Sequence, residues 1–87
     1  MKIIVYGAEG CGVCKNVREF LDNNSISYTY KNVGTDITIE DFIEKFKVQS
    51  VPIVIIDGRT FFGFSPSMKT LIKEKIEQEN KGDLNGK

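Results

Sequence analysis

Cys11 and Cys14 are the only two cysteines in this chain of 87 residues, and two residues separate them. They follow an apolar, β-branched run that predicts a buried strand over residues 2–6, and they open a segment with helical periodicity. A thiol pair at a strand-to-helix junction suits a reversible dithiol/disulfide centre, because the free N–H groups and the dipole at a helix N-terminus stabilise a thiolate. The pair therefore predicts a strand, a short turn and a helix built around one redox site.

The composition excludes several classes of protein and site. Basic and acidic residues are equal in number, 12 of each, so the chain has no charge signature of a nucleic-acid or acidic-membrane partner. The absence of histidine excludes histidine general bases and histidine-ligated metals. No stretch approaches the roughly 18 apolar residues of a membrane span, and Glu9 precedes any apolar region of signal-peptide length. We expect a cytoplasmic protein without membrane or nucleic-acid partners.

The first half of the chain predicts a strand–helix–strand–helix order. Apolar residues at helical spacing predict a helix over residues 12–24, and a second strand fits residues 26–33. Thr38, followed three residues later by Asp41, predicts a capped helix start. The apolar residues of this second helix would form one buried stripe, made of Ile39, Phe42, Ile43 and Phe46.

The second half predicts a hairpin and a last helix. Asp57-Gly58 is a hairpin turn signal between the apolar strand Ile53–Ile56 and a returning strand over residues 60–62. Ser65 as cap and Pro66 in the first turn predict the start of the last helix. The order predicts an α/β fold in which one small sheet lies between helices. We expect one domain over residues 1–79 and a flexible polar tail over residues 80–87.

The two cysteines have different predicted roles in disulfide exchange. Cys11 starts the helix and is expected to be the more exposed, so we predict that it is the nucleophile. Gly10 and Gly12 leave no side chain to block an incoming disulfide. Cys14 lies on the apolar side of the helix, which suits a protected resolving thiol that releases the reduced substrate.

Three other interpretations of the cysteines carry less support. A structural zinc site normally needs a full set of cysteine or histidine ligands, and the chain has no second cysteine pair and no histidine. A purely structural disulfide closing so short a loop would add little stability. Two unrelated buried cysteines fit poorly with glycine flanks at a helix start. The residues therefore favour redox function.

A proline lies in front of the third strand. If the Val51-Pro52 bond is cis, the backbone of Val51 is exposed beside the thiols and can pair with an extended substrate segment as an added strand. A trans proline at the first position of a strand is the commoner state of any X-Pro bond, and the proline taken alone favours trans. The nearby thiol pair raises the cis alternative.

Together these motifs resemble the glutaredoxin branch of the thioredoxin superfamily over residues 1 to about 78. The resemblance implies a four-stranded mixed sheet with helices on both faces, a cis Val51-Pro52 bond and exchange through Cys11 and Cys14.

The chain departs from the residue pattern of the glutaredoxins that use glutathione. Gly12-Val13 replaces the usual Pro-Tyr, the lysine before the first cysteine is absent, and Phe62-Gly63 replaces a Gly-Gly turn. Each change removes a contact expected for glutathione.

The run over residues 61–68 is similar to the NrdH-type redoxins of this family, which carry an aromatic residue, a spacer and then Gly-Phe-x-Pro-x-Met. The matching residues are Phe61, Gly63, Phe64, Pro66 and Met68. The similarity implies reduction by thioredoxin reductase and electron delivery to ribonucleotide reductase. Phe61, Phe64 and Met68 can all be core residues, and this is the expectation for Met68. The alternative for Phe64, beside a glycine turn near the thiols, is an apolar docking surface.

We therefore expect a monomeric thiol–disulfide oxidoreductase with no metal and no tightly bound cofactor. The predicted substrate-binding residues are Gly10, Gly12, Val13, Val51, Pro52, Gly63 and Phe64. One alternative is an ordinary glutaredoxin with glutathione as reductant. A second is an iron–sulfur cluster carrier, in which two subunits share a cluster through the first cysteine and glutathione.

Overall fold

The computed structural model describes the backbone of residues 1–85 and the side chains of residues 1–78. All seven predicted elements are present in the predicted order. The strands are β1 (Ile3–Gly7), β2 (Thr29–Asn32), β3 (Ile53–Ile56) and β4 (Arg59–Phe62). The helices are α1 (Gly12–Asn23), α2 (Ile39–Phe46) and α3 (Pro66–Asn85). Strand β2 is shorter than the span predicted for it.

The four strands form one mixed sheet in the order β2-β1-β3-β4. Strand β1 is parallel to β2 and antiparallel to β3, and β3 is antiparallel to β4. The register places Gly7 opposite Asn32, and Ile53 opposite both Tyr6 and Phe62. These residues mark one end of the sheet, which we call the thiol end because the chain leaves it toward the cysteines. The segments that hold the predicted site residues therefore converge at this end.

Helices cover both faces of the sheet, as the family resemblance implies. Because side chains alternate along a strand, each strand supplies both faces. On one face the sheet packs with α1 and α3 in a cluster of Ile3, Val5, Val17, Leu21, Val54, Ile56, Met68 and Ile72. On the other face it packs with α2 in a smaller cluster of Tyr6, Phe42 and Ile53.

Both predicted helix caps are confirmed. The N–H of Asp41 donates to Oγ1 of Thr38 over 3.1 Å, and the N–H of Met68 donates to Oγ of Ser65 over 3.2 Å. Each bond satisfies an N–H group that the first helical turn leaves without a partner. The caps fix where α2 and α3 begin.

The buried stripe predicted for α2 is wrong at its first position. Phe42 is fully buried, but Ile39 is 56% exposed. Ile39 is the first residue of a helix only eight residues long, and it lies on the rim of a surface groove instead of over the sheet. Periodicity alone does not show where so short a helix overhangs the core.

The last helix runs beyond the boundary predicted at residue 79, since its backbone is helical to Asn85. Residues 86–87, the end of the predicted flexible tail, lie outside the described residues. The domain boundary stays a prediction. Among the described residues, none of the helices combines the length and the apolar composition of a membrane span.

The hairpin turn at the opposite end of the sheet is held by Asp57. Its Oδ1 accepts the N–H of Lys2 over 2.7 Å, and its Oδ2 lies 2.8 Å from Nζ of Lys75. The hydrogen bond from Lys75, followed by that from Lys2, lowers the pKa of Asp57 below its usual 3.8. The carboxylate thus ties the turn to the chain's first residues and to α3.

Replacing Asp57 with Asn should lower the melting temperature at pH 7 by a few degrees at most, because an exposed ion pair contributes little. Asn also tolerates the left-handed backbone of this turn, where φ is 48°. Since the folded pKa is lowered, the contribution is present above pH 3.8 and is lost as the pH falls through the folded value.

Thermal unfolding of both proteins at pH 7 and at about pH 2 measures this difference. Glu19→Gln, which makes the same charge change on the exposed side of α1, serves as the control. An equal loss of stability at both pH values would assign the effect to the turn backbone and contradict the charge explanation.

Candidate active site

The turn between β1 and α1 places Cys11 at the helix start. The N–H of Cys11 donates to the carbonyl of Ala8 over 3.4 Å. Gly10 has a φ of 76°, in the left-handed region that favours glycine. A Cβ at Gly10 would meet no neighbouring atom, so backbone conformation and not space favours glycine there. The open surroundings agree with the predicted access for a disulfide.

Cys11 is the N-cap of α1. Its backbone is extended, and its Sγ accepts the N–H of Cys14 over 3.1 Å. Sulfur thus takes the position that a serine or aspartate oxygen occupies at most helix starts. The same position directs the positive end of the helix dipole at the sulfur, which stabilises a thiolate after reduction.

The two cysteines are paired as a disulfide and differ in exposure. Cys11 is partly exposed, whereas Cys14 is 1% exposed. Cys14 lies one turn into α1, on the side that faces the core. An accessible sulfur next to a protected one is the arrangement that a dithiol exchange cycle uses.

A cleft of 530 Å³ opens beside the disulfide. It is lined by residues 8–12 and Cys14, by Lys15 and Arg18 of α1, and by Tyr30 and Asn32 of β2. Gly10, Cys11, Gly12 and Cys14 are thus brought together in one cleft. The cleft lies on the β2 side of the thiols, and the other predicted binding residues do not line it.

Arg18 and Tyr30 form a stacked pair in the cleft wall. The guanidinium carbon lies 4.2 Å from the centroid of the Tyr30 ring. The Tyr30 ring in turn covers Gly7, where a Cβ would lie 2.5 Å from the Tyr30 hydroxyl oxygen. A hydrogen bond to Tyr28 is the largest of the interactions that raise the pKa of Arg18.

Sequence reasoning missed Arg18, Tyr30 and Asn32 as residues of the site. The signal for Arg18 was present, because positions 11, 15 and 18 share one helix face. Tyr30 and Asn32 alternate onto one side of β2, but only the pairing of Gly7 with Asn32 places that strand beside the thiols. Because helix α1 separates Gly7 from Asn32 in the sequence, no local pattern predicts that they are neighbours.

The proline in front of β3 lies at the thiol end. The Val51-Pro52 bond is cis, as the resemblance implies. Pro52 is buried, and its carbonyl accepts the N–H of Gly63 over 2.9 Å, so the two predicted loops are joined. Val51 is half-buried and lines a second, smaller groove of 230 Å³, whose rim it shares with Ala8. The role of this segment in substrate binding stays a prediction.

The aromatic residues at the end of β4 and after it differ in exposure, and the docking role of Phe64 stays a prediction. Phe64 is half-buried, with its ring 5.7 Å from that of Phe20 on α1. Met68 is fully buried, which confirms its place in the core. Phe62 and Val13 are more exposed, at 56% and 46%.

The glutaredoxin family model matches residues 3–62 of this chain. The chain belongs to the glutaredoxin family. With Cys11 and Cys14 at the start of α1, this glutaredoxin-family protein is a thiol–disulfide oxidoreductase. Its family works with reductants and disulfide substrates. No curated protein matches it by sequence.

Solved structures of redoxins share the fold. The thioredoxin-like protein BC3987 is 31% identical and superposes with a TM-score of 0.64 over 87% of this chain and 96% of its own. Reduced Escherichia coli glutaredoxin is 27% identical, with a TM-score of 0.60 over 88% and 99%. The NrdH-redoxin of Escherichia coli is 22% identical, with a TM-score of 0.67 over 80% and 92%, and shows the common fold.

The difference in exposure predicts selective alkylation of the reduced protein. Limiting iodoacetamide should label Cys11 at least about ten times faster than Cys14, because Cys11 combines access with the helix N-terminus. Tandem mass spectrometry of the digest measures both rates. Labelling in guanidinium, where both thiols are exposed, is the control. Faster or equal labelling of Cys14 in the folded protein would contradict the assigned geometry.

Proposed function

We propose that this glutaredoxin-family protein is an NrdH-like electron donor, reduced by thioredoxin reductase, that passes electrons to protein disulfides, including that of ribonucleotide reductase. It acts as a cytoplasmic monomer through the domain over residues 1–79. The observation that carries the proposal is the accessible Cys11 at the cap of α1, backed by the buried Cys14.

The proposed cycle is a sequence of two exchanges. The Cys11 thiolate attacks one sulfur of the target disulfide, which forms a mixed disulfide and releases one target thiolate. The Cys14 thiolate then attacks Sγ of Cys11, releases the second target thiolate and closes the Cys11–Cys14 disulfide. Two electrons have passed to the target, and two from the reductase restore the dithiol. The N–H of Cys14 stabilises the Cys11 thiolate before attack.

Exposed apolar residues near the thiol end support a protein as the acceptor. Val13 and Phe62 are exposed there, and Ile39 lies on the rim of the groove that Ala8 and Val51 also line. Apolar side chains rimmed by polar ones are typical of protein contact surfaces. A small hydrophilic disulfide would leave them uncovered.

The residues around the thiols also support a donor other than glutathione. Ala8 stands in the region where the family usually carries a lysine, and Gly12-Val13 replaces Pro-Tyr. The Escherichia coli NrdH-redoxin is described as a glutaredoxin-like protein with a thioredoxin-like activity profile. We propose the same combination for this chain.

A comparison of two reducing systems tests the electron donor. NADPH with thioredoxin reductase should support reduction of insulin disulfides, and NADPH with glutathione and glutathione reductase should support at most about a tenth of that rate, because the usual glutathione contacts are missing. Turnover only with glutathione would contradict the NrdH-like proposal and support an ordinary glutathione-dependent glutaredoxin. A brown protein with visible absorbance after anaerobic purification would instead favour a cluster carrier.

Serine variants test the two roles. Cys14→Ser should form mixed disulfides with the acceptor and stall, because no thiol remains to resolve them. Cys11→Ser should form none and should have lost all exchange. Non-reducing electrophoresis and mass spectrometry detect the trapped species. Unimpaired insulin reduction by Cys14→Ser would contradict the role of Cys14.

A further inference from the structure

We propose that Arg18, assisted by Lys15, forms a carboxylate-binding subsite in the cleft beside Cys11, and that this subsite selects disulfides with a carboxylate near the sulfur. The inference rests on the proposed disulfide reduction and adds to it a class of substrate. It concerns the β2 side of the thiols, away from Val51, Pro52 and Gly63.

Helix geometry aligns the two cations with the reactive sulfur. The N–H of Lys15 donates to the carbonyl of Cys11 over 3.2 Å, so the helical turn is formed from the cap onward. Positions 11, 15 and 18 follow the spacing of one helix face. At the rise of an α-helix, Lys15 and Arg18 lie about 6 and about 10 Å along the axis from Cys11. A carboxylate that lies a few bonds from the attacked sulfur of a substrate can therefore reach the side chains of Lys15 and Arg18.

Arg18 is held in place by the aromatic ring beneath it. Its guanidinium lies 4.2 Å from the ring centroid of Tyr30, which itself covers the backbone of Gly7. A side chain ordered before binding loses less conformational entropy when a ligand arrives. A planar guanidinium also matches the two oxygens of a carboxylate, which a flexible ammonium does not.

The rest of the lining agrees with a peptide-like anion. Lys15 and Arg18 outnumber the single carboxylate in the cleft, that of Glu9, so the lining has one positive charge in excess. The wall also holds Oδ1 of Asn32, which is buried and has no hydrogen-bond partner within the described residues. This oxygen can accept an N–H group. A ligand that carries a carboxylate next to a peptide N–H would therefore find partners for both groups, the cations for the carboxylate and Oδ1 of Asn32 for the N–H.

Three small disulfides of different charge test the subsite on the reduced protein. Dithiodipropionate is anionic, hydroxyethyl disulfide is neutral and cystamine is cationic. Acid quench and mass spectrometry give the rate constant for each, since the chain has no tryptophan to follow by fluorescence. The readout is the anionic-to-neutral rate ratio, in which any change in the reactivity of Cys11 itself cancels.

Arg18→Gln should lower that ratio about 3- to 10-fold at low salt and lower it little at high salt, because ions screen an exposed charge. The cystamine-to-neutral ratio should rise. Arg18→Lys keeps the charge but loses the planar guanidinium, so it should retain only part of the anionic preference. The control is Arg59→Gln, which removes the same charge from an arginine that also stacks on a ring, 5.4 Å from that of Phe61, at the opposite end of the sheet.

Disulfide-bonded peptides with Glu or Gln beside the cysteine identify the source of the carboxylate. Loss of the Glu preference in Arg18→Gln supports a polypeptide as the source, and loss limited to dithiodipropionate supports a small molecule. Equal ratios for wild type, Arg18→Gln and Arg59→Gln in both series would overturn the subsite. Failure of the wild type to reduce any disulfide, including the neutral one, would instead overturn the proposed function.

Discussion

The position of β1 between two partner strands is the constraint on which the site depends. This strand is hydrogen-bonded to β2 on one side and to β3 on the other, and Val5 at its centre is fully buried. Neither its register nor its direction can change without breaking both pairings. Its carboxyl end therefore leads to Cys11 at the thiol end of the sheet, the end at which β3 begins and β4 finishes. The reactive sulfur is placed by the most constrained part of the sheet, although it lies on an exposed turn.

The start of α1 joins structure and chemistry in one residue. A helix needs an acceptor for its first N–H groups, and here that acceptor is the sulfur of Cys11. The contact that caps the helix is also the contact that stabilises a thiolate. Cys14, one turn further, belongs to the face that packs against the sheet. The unequal exposure of the two thiols follows from the periodicity of a single helix.

Local signals were enough to predict much of this molecule. The caps Thr38 and Ser65, the turn at Asp57-Gly58 and the cysteine pair each act within a few residues, so the elements and the thiols could be located from the sequence. The cis bond at Val51-Pro52 could be expected only through the family resemblance, because an X-Pro bond alone favours trans.

Features that depend on distant parts of the chain could not be predicted in this way. The contact between Phe64 and Phe20 joins the last loop to α1, and it leaves Phe64 half-buried. Asn32 enters the cleft because β2 returns beside β1, after a whole helix has intervened. Ile39 is a further case, in which the first residue of a short helix extends past the core.

The close approach of Tyr30 to Gly7 ties two positions that lie far apart in the chain. Because the tyrosine hydroxyl occupies the place where a Cβ at position 7 would lie, a side chain at position 7 requires Tyr30 to move or to be replaced. A smaller residue at position 30 would make room for a side chain at position 7. A side chain at position 7 is therefore expected together with a smaller residue at position 30. A designer who wants a side chain at position 7 in this wall of the cleft must therefore also change position 30, whereas position 30 can be made smaller while Gly7 is kept.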